Sequence, residues 1–274
     1  MQVFLIRESN KNSILKKMLK VIEIKQNVII LNFKIKNKNA NSKIKIIKKI
    51  KKVLDYYNCK KVILSKNLKQ DETFKYLLQH SHIQIINGEN LIKRLLNKII
   101  EKASIENNIK PENSQITIMS NNLENWLECL IDNISTKYKL LGIVTDNISY
   151  FRKLETKLLE KEGTIITITN NKKKSLCKSN IIINLELNEE QINKYVIYEK
   201  SIVISLKGKM KIYKKRFNGK IISDFEIELK NNSKIYRDLL KKEYMYYDII
   251  DLAEIYIINN EKEIRNISIK FLKK

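Results

Sequence analysis

Short apolar runs alternate with longer amphipathic stretches along most of the chain. Val3–Ile6, Val28–Leu31, Val62–Leu64 and Ile83–Ile86 predict four strands in the N-terminal part. Between them, Ile46, Ile47, Ile50, Val53, Leu54 and Tyr57 recur at spacings of one and three, which is one apolar stripe on a helix with lysines opposite. Asn41-Ser42 offers a cap for that helix. A shorter helix is predicted near Asp71–Gln79. Leu91, Ile92, Leu95, Leu96, Ile99, Ile100 and Ala103 mark a second long one.

The stretch Asn107–Asn113 carries the chain's only proline, Pro111, and is the natural place for a division. It gives an N-terminal α/β domain, 1–110, and a second domain, 111–274. Beyond it, Ile116–Met119, Leu140–Thr145, Thr164–Thr169, Ile181–Leu185 and Ile202–Leu206 read as strands. Leu123, Trp126, Leu127, Leu130, Ile131 and Ile134 form a helix stripe, with Cys129 beside it, and Trp126 and Cys129 are assigned to the core. Phe151, Leu154, Leu158 and Leu159 mark the next helix, and Gly163 fits its C′ position. Continuously apolar strands separated by helices argue for a parallel sheet covered on both faces. The tail differs: Met210–Phe217 and Lys220–Leu229 flank Asn218-Gly219, a strong hairpin signal. A helical stretch over 234–258 and an edge strand at Asn266–Phe271 follow. The fold class is therefore α/β: a mostly parallel sheet in the C-terminal half, preceded by an N-terminal α/β domain, with a C-terminal β-hairpin and helix.

Composition narrows the function classes. The 274 residues include 54 basic and 30 acidic side chains, a net charge of +24. Only six of the basic residues are arginine, and the lysines are spread over every segment. Arginine's planar fork is what base reading and buried phosphate clamps favour. A dispersed lysine excess, with abundant Ile and Asn, fits A/T-rich coding and a solvated surface. Lys211, Lys214, Lys215, Arg216 and Lys220, beside Tyr213 and Phe217, form the densest basic patch and the best place for a polyanion if one binds. Cys59, Cys129 and Cys177 are widely spaced, with His80 and His82 the only histidines. That argues against structural zinc and for buried free thiols in a reducing compartment. MQVFLIRESNKN lacks the pattern of a signal peptide, and no long uninterrupted apolar run predicts a membrane span. A cytoplasmic location and no membrane partner are the expectation.

Segment 140–185 reads strand, turn, helix, glycine, strand, polar turn, strand. Glu162-Gly163 stands directly before a strand that runs into Asn170-Asn171-Lys172-Lys173-Lys174-Ser175, and Asn180-Ile181-Ile182-Ile183-Asn184 ends the next. These features resemble NAD(P)-binding Rossmann domains, closest to the shikimate-dehydrogenase-like and glutamyl-tRNA-reductase-like group. The polar turn is similar to the group's Asn-Arg-Thr turn, which holds the adenosine ribose and its 2′-phosphate. The resemblance implies a glycine-rich phosphate turn after Leu140–Val144, where Thr145-Asp146-Asn147-Ile148-Ser149 stands with no glycine. Asp146 would place a carboxylate near the diphosphate. At about 4 Å and an effective dielectric near 20, one such like-charge pair costs roughly 4 kcal/mol. Asp146 and Ser149 are instead candidates to cap the helix. Ser65-Lys66 follows a strand, but its surroundings do not match the group's lysine–aspartate pair, and no catalytic or metal-binding residue is assigned.

Thr145, Asp146, Asn147, Asn170, Asn171, Lys172 and Asn184 are thus the candidate ligand-facing residues. Three functions stay open. The first is a non-catalytic ligand-binding or regulatory module built on a degenerate dinucleotide site, with no resident cofactor and an unidentified small-molecule partner. The second is an NADP-linked oxidoreductase with an atypical phosphate turn. The third is a nucleic-acid-binding protein using the basic hairpin. The features weigh against an enzyme.

Overall fold

Every strand-forming run named above except Met210–Phe217 enters one of two sheets. The computed structural model describes residues 3–8, 22–25, 28–138, 140–162, 164, 166–208, 210–230, 246–256, 262 and 264–272. The chain divides into two compact units, 1–91 with 227–266, and 92–226 with 267–274.

The first unit holds β1 (Val3–Glu8), β2 (Ile22–Lys25), β3 (Val28–Phe33), α1 (Ala40–Tyr56), β4 (Lys61–Leu64), α2 (Lys66–Lys69), α3 (Glu72–His80) and β5 (Gln84–Ile86). Its sheet runs β2-β3-β1-β4-β5. β3, β1, β4 and β5 are parallel, and β2 is an antiparallel edge. The α1 stripe does what its spacing predicts: Ile46, Ile47, Ile50 and Leu54 are buried against Phe4, Ile6, Ile29 and Leu31 of the sheet. Burying side chains of this size contributes roughly 1.5–3 kcal/mol each. The helix starts slightly earlier than its pattern suggested, because Asn39, not Asn41 or Ser42, accepts the Ser42 N–H and caps it. Asp71 caps α3 in the same way, accepting from the Phe74 N–H.

The division between units falls inside α4 (Glu89–Glu106). After a 3₁₀ turn at Pro111–Asn113 come β6 (Gln115–Met119), α5 (Asn125–Ser135), β7 (Leu140–Val144), α6 (Ile148–Glu162), β8 (Ile166–Thr169), α7 (Lys172–Leu176), β9 (Ile181–Asn184), α8 (Glu189–Ile192), β10 (Ile202–Ser205) and β11 (Lys220–Leu229). The sheet order is β8-β7-β6-β9-β10-β11, with β12 (Ile264–Leu272) beyond β11. All pairs from β8 to β11 are parallel. Taken in chain order, this is the 3-2-1-4-5-6 order of doubly wound dinucleotide-binding sheets. The Rossmann-like architecture therefore spans β6 to β11, far more than segment 140–185. The burial explains the continuous apolar runs: Ile181, Ile182 and Ile183 are all fully buried.

The sheet ends in an antiparallel pair, β11–β12, in which Arg265 near the start of β12 meets Glu228 near the end of β11 at 3.2 Å. Asn218-Gly219 is not the turn of a hairpin. β11 pairs parallel with β10, and 210–219 contains no strand. The side chains of Glu189 and Asn193 take the main-chain N–H groups of Lys211 and Tyr213, while Met210, Ile212 and Phe217 are buried beneath. Gly219 answers a different need. A Cβ there would lie 2.0 Å from the Ser201 carbonyl oxygen, where the chain passes β10 to begin β11.

The tail helix is α9 (Ile249–Tyr256), within the first unit. Of the tyrosines near it, Tyr247 is fully buried and Tyr246 lies under the Arg7 guanidinium, 5.0 Å from ring to cation. Tyr244 and Gly163 fall outside the described residues. The cysteines depart from expectation: none is buried, and Cys129 is exposed. Trp126 is only half-buried, with Lys93 above its ring and its indole N–H donated to Glu124. Cys129 and Trp126 sit at the margin of the α5 stripe, where the helix surface meets polar neighbours. Among the described residues, no helix is long and apolar enough to cross a membrane.

Candidate functional site

Open parallel sheets bind ligands in the crevice outside the carboxyl ends of the strands, where the strand order reverses. Here that point lies between β6 and β9. The first strand of the order is β6, so the turn that would cradle a diphosphate is Ser120–Glu124, and not the 145–149 turn after β7. β7 is the second strand, separated from the reversal by β6. Ser120-Asn121-Asn122-Leu123-Glu124, like the turn after β7, contains no glycine.

The two turns are laced together. Asn121 Oδ1 accepts from the Asp146 main-chain N–H at 2.8 Å and from the Thr145 hydroxyl at 3.4 Å. Asn147 Nδ2 donates to the Asn121 carbonyl oxygen at 2.8 Å, and the Asn147 N–H donates to Thr145 Oγ1 at 3.0 Å. Thr145, Asp146 and Asn147 are therefore one cluster, organised by Asn121, which the sequence had not singled out. Lys172 reaches the same cluster from the N-terminus of α7, its ammonium 2.5 Å from Asp146 Oδ1. That hydrogen bond holds the Asp146 carboxyl below the usual carboxylate range; burial opposes it, and the ammonium's charge and the Asn121 contact add to it.

The remaining candidates are elsewhere. Asn171 caps α7 by accepting the Lys174 N–H at 2.9 Å, and Asn170 is exposed beside it. Asn184 is fully buried, and its amide serves its own loop: Nδ2 donates to the Leu187 carbonyl oxygen at 2.7 Å and Oδ1 accepts from the Leu187 N–H at 2.9 Å. Except for Lys220, which begins β11, the basic patch lies in the strandless segment against α8, where Tyr213 donates its hydroxyl to Glu189 at 2.8 Å.

A second side chain missed by sequence reasoning is Glu186. Its Oε1 accepts from the Asn121 main-chain N–H at 2.8 Å, at the head of the first turn. The neighbouring Asn122 N–H points to Ser120 Oγ at 3.3 Å. Both donors lie in the turn that leads into α5, on the approach to the helix N-terminus where a diphosphate binds, and the chain's own groups occupy them. Glycines that would admit the backbone to a pyrophosphate are missing from the turn. The residues present thus do not fit a dinucleotide diphosphate. Asp146, at the end of the second strand, does stand where an acidic residue receives a ribose hydroxyl in dinucleotide-binding sheets. Among the described residues, no three His, Cys, Asp or Glu side chains are placed to hold a metal ion.

No protein-family model matches the chain. No curated protein sequence matches it either. Solved structures similar to it include 5-ketofructose reductase of Gluconobacter sp. strain CHM43, at 9% identity over 81% of this chain and 87% of that one, with a TM-score of 0.37. Shikimate 5-dehydrogenase from Listeria monocytogenes aligns at 12% identity over 74% and 78%, with a TM-score of 0.32. A putative aspartate carbamoyltransferase from Trypanosoma cruzi aligns at 12% over 77% and 72%, also at 0.32. The assignment of a Rossmann-like sheet rests on the strand order itself.

Proposed function

We propose that the Rossmann-like unit is a non-catalytic ligand-binding or regulatory module whose dinucleotide seat has been filled by the chain's own polar side chains. The observation that carries this is the hydrogen bond from the Asn121 N–H to Glu186 in the first turn. A diphosphate entering there must displace a carboxylate from a main-chain donor and then lie beside it. At an effective dielectric near 20, each like-charge pair about 4 Å apart costs roughly 4 kcal/mol, close to a thousandfold in affinity. The loss of glycine removes the close backbone approach that would compensate.

A second reading, a dinucleotide-dependent oxidoreductase, draws support from Asp146 at the end of the second strand. That carboxylate suits a ribose 2′-hydroxyl and opposes a 2′-phosphate, so this reading favours NADH over NADPH. Calorimetric titration of the full chain with each nucleotide separates the two. The module reading expects no binding of either up to millimolar concentration. Micromolar affinity for NADH defeats it in favour of the oxidoreductase, and micromolar affinity for NADPH defeats both arguments.

A further inference from the structure

We propose that the first unit carries a separate binding site for a small hydroxylated anion, a compound bearing a phosphate or carboxylate on a polyol. The site is a cavity of about 680 Å³ at the carboxyl ends of β1, β3 and β4. Its size falls within the range of roughly 300–1,000 Å³ typical of small-molecule sites. Its position has a topological reason. The parallel strands run β3-β1-β4-β5, and successive strands are added on opposite sides of β1, so the order reverses beside it. That is where an open parallel sheet leaves a crevice. The lining comes from Glu8 at the end of β1, the turn after β3, and the segment 67–73 after β4.

The ligand class follows from which lining groups the protein has already used. Glu8 spends its carboxylate on the main-chain N–H groups of Ile35 and Lys36, at 3.0 and 3.1 Å. Asp71 is occupied twice, capping α3 and pairing with Lys43 at 2.6 Å. That pair holds the Asp71 carboxyl below its ordinary range despite the opposing effect of burial. Lys43 is anchored in return: its side chain is only 10% exposed, which fixes one cation in the wall. Glu72 pairs with Lys75 on the open surface. The unspent groups are the ammoniums of Lys36 and Lys38, the amides of Asn67 and Gln70, and the Thr73 hydroxyl, none with a side-chain partner among the described residues. With Lys43 neutralised by Asp71, the two free cations, Lys36 and Lys38, select an anionic group, since a lysine ammonium is a compact point charge suited to phosphate or carboxylate. The amides and the hydroxyl offer donors and acceptors to a polyol. Asn37, between the two lysines, takes the left-handed conformation (φ 63°), so Lys36 and Lys38 flank a tight turn at the cavity mouth.

The test is calorimetry on the full-length protein with ribose 5-phosphate, gluconate and uncharged ribose. One or both anions bind, ribose does not, and the Lys36→Ala/Lys38→Ala double variant weakens anion binding about tenfold. The phosphate and carboxylate arms show which anionic group the site takes. Lys214→Ala/Lys215→Ala makes the same change in net charge in the second unit and leaves binding unchanged. Both lysine pairs are on the surface, and far-ultraviolet circular dichroism confirms that each variant is folded. Failure of both anions to bind, equal binding of ribose, or equal loss in the two double variants overturns the proposal. Because the site lies wholly in the first unit, these outcomes are independent of the nucleotide titration above.

Discussion

Asp251→Asn isolates the cost of one buried charge. Asp251 lies on α9, fully buried, and forms a close ion pair with Lys69 of α2. Lys69 also holds Asp248 at 2.5 Å, and Glu254, nearby on the same helix, accepts from Asn90 Nδ2 at 2.8 Å. Burial pushes the Asp251 carboxyl up; Lys69 opposes that, while Asp248 and Glu254 add to it, and the result is a shift from 3.8 to about 6. Burial alone would lower the Lys69 ammonium, but Asp251 and Asp248 outweigh it and hold the group above its ordinary value, so it stays charged throughout. Between the two Asp251 values the folded chain binds more protons than the unfolded chain, so stability falls as pH rises through that window. A rise of about 2 units corresponds to roughly 3 kcal/mol in all, of which about 1.4 kcal/mol is lost between pH 5 and pH 8. Asparagine keeps the volume and removes the titration, and Lys69 retains Asp248. Urea denaturation of both proteins across that pH range reads the difference directly. The stability of the variant relative to the parent should rise by about 1.4 kcal/mol from pH 5 to pH 8. A difference that stays flat, or that falls with pH, refutes the reasoning.

Three other substitutions probe the second unit by chemical denaturation. Gly219→Ala forces a Cβ against the Ser201 carbonyl oxygen and should cost at least about 2 kcal/mol; a neutral result would mean the approach of β11 to β10 is looser than described. Asn184→Ala strands the buried N–H and C=O of Leu187 and should cost about 3 kcal/mol, whereas a change confined to ligand affinity would restore Asn184 to the crevice. Tyr138→Phe removes the 2.7 Å bond to Ser104 Oγ, but that hydroxyl keeps the Ile100 carbonyl oxygen, so the loss should stay near 1 kcal/mol.

Periodicity made the architecture legible wherever one element buries one face. The α1 stripe and the three isoleucines of β9 identify themselves, because nothing local competes with their burial. The hairpin at Asn218-Gly219 misled for the opposite reason. The dipeptide answers a long-range close approach to Ser201, and the segment before it is satisfied by Glu189 and Asn193, distant in sequence. Thr145, Asp146 and Asn147 were found because they end an obvious strand. Asn121 and Glu186 were not, although Ser120-Asn121-Asn122 also follows a clear strand. Choosing between the two turns required knowing that β6, and not β7, borders the reversal in strand order. The return of residues 227–266 to the first unit left no local signature either.

Co-crystallisation with NADH at high concentration addresses the central claim, that the diphosphate seat after β6 is filled from within. The expected map shows the Asn121 N–H still bonded to Glu186, with no nucleotide over Ser120–Glu124. A diphosphate resting on those main-chain N–H groups, with Glu186 turned away, would contradict it.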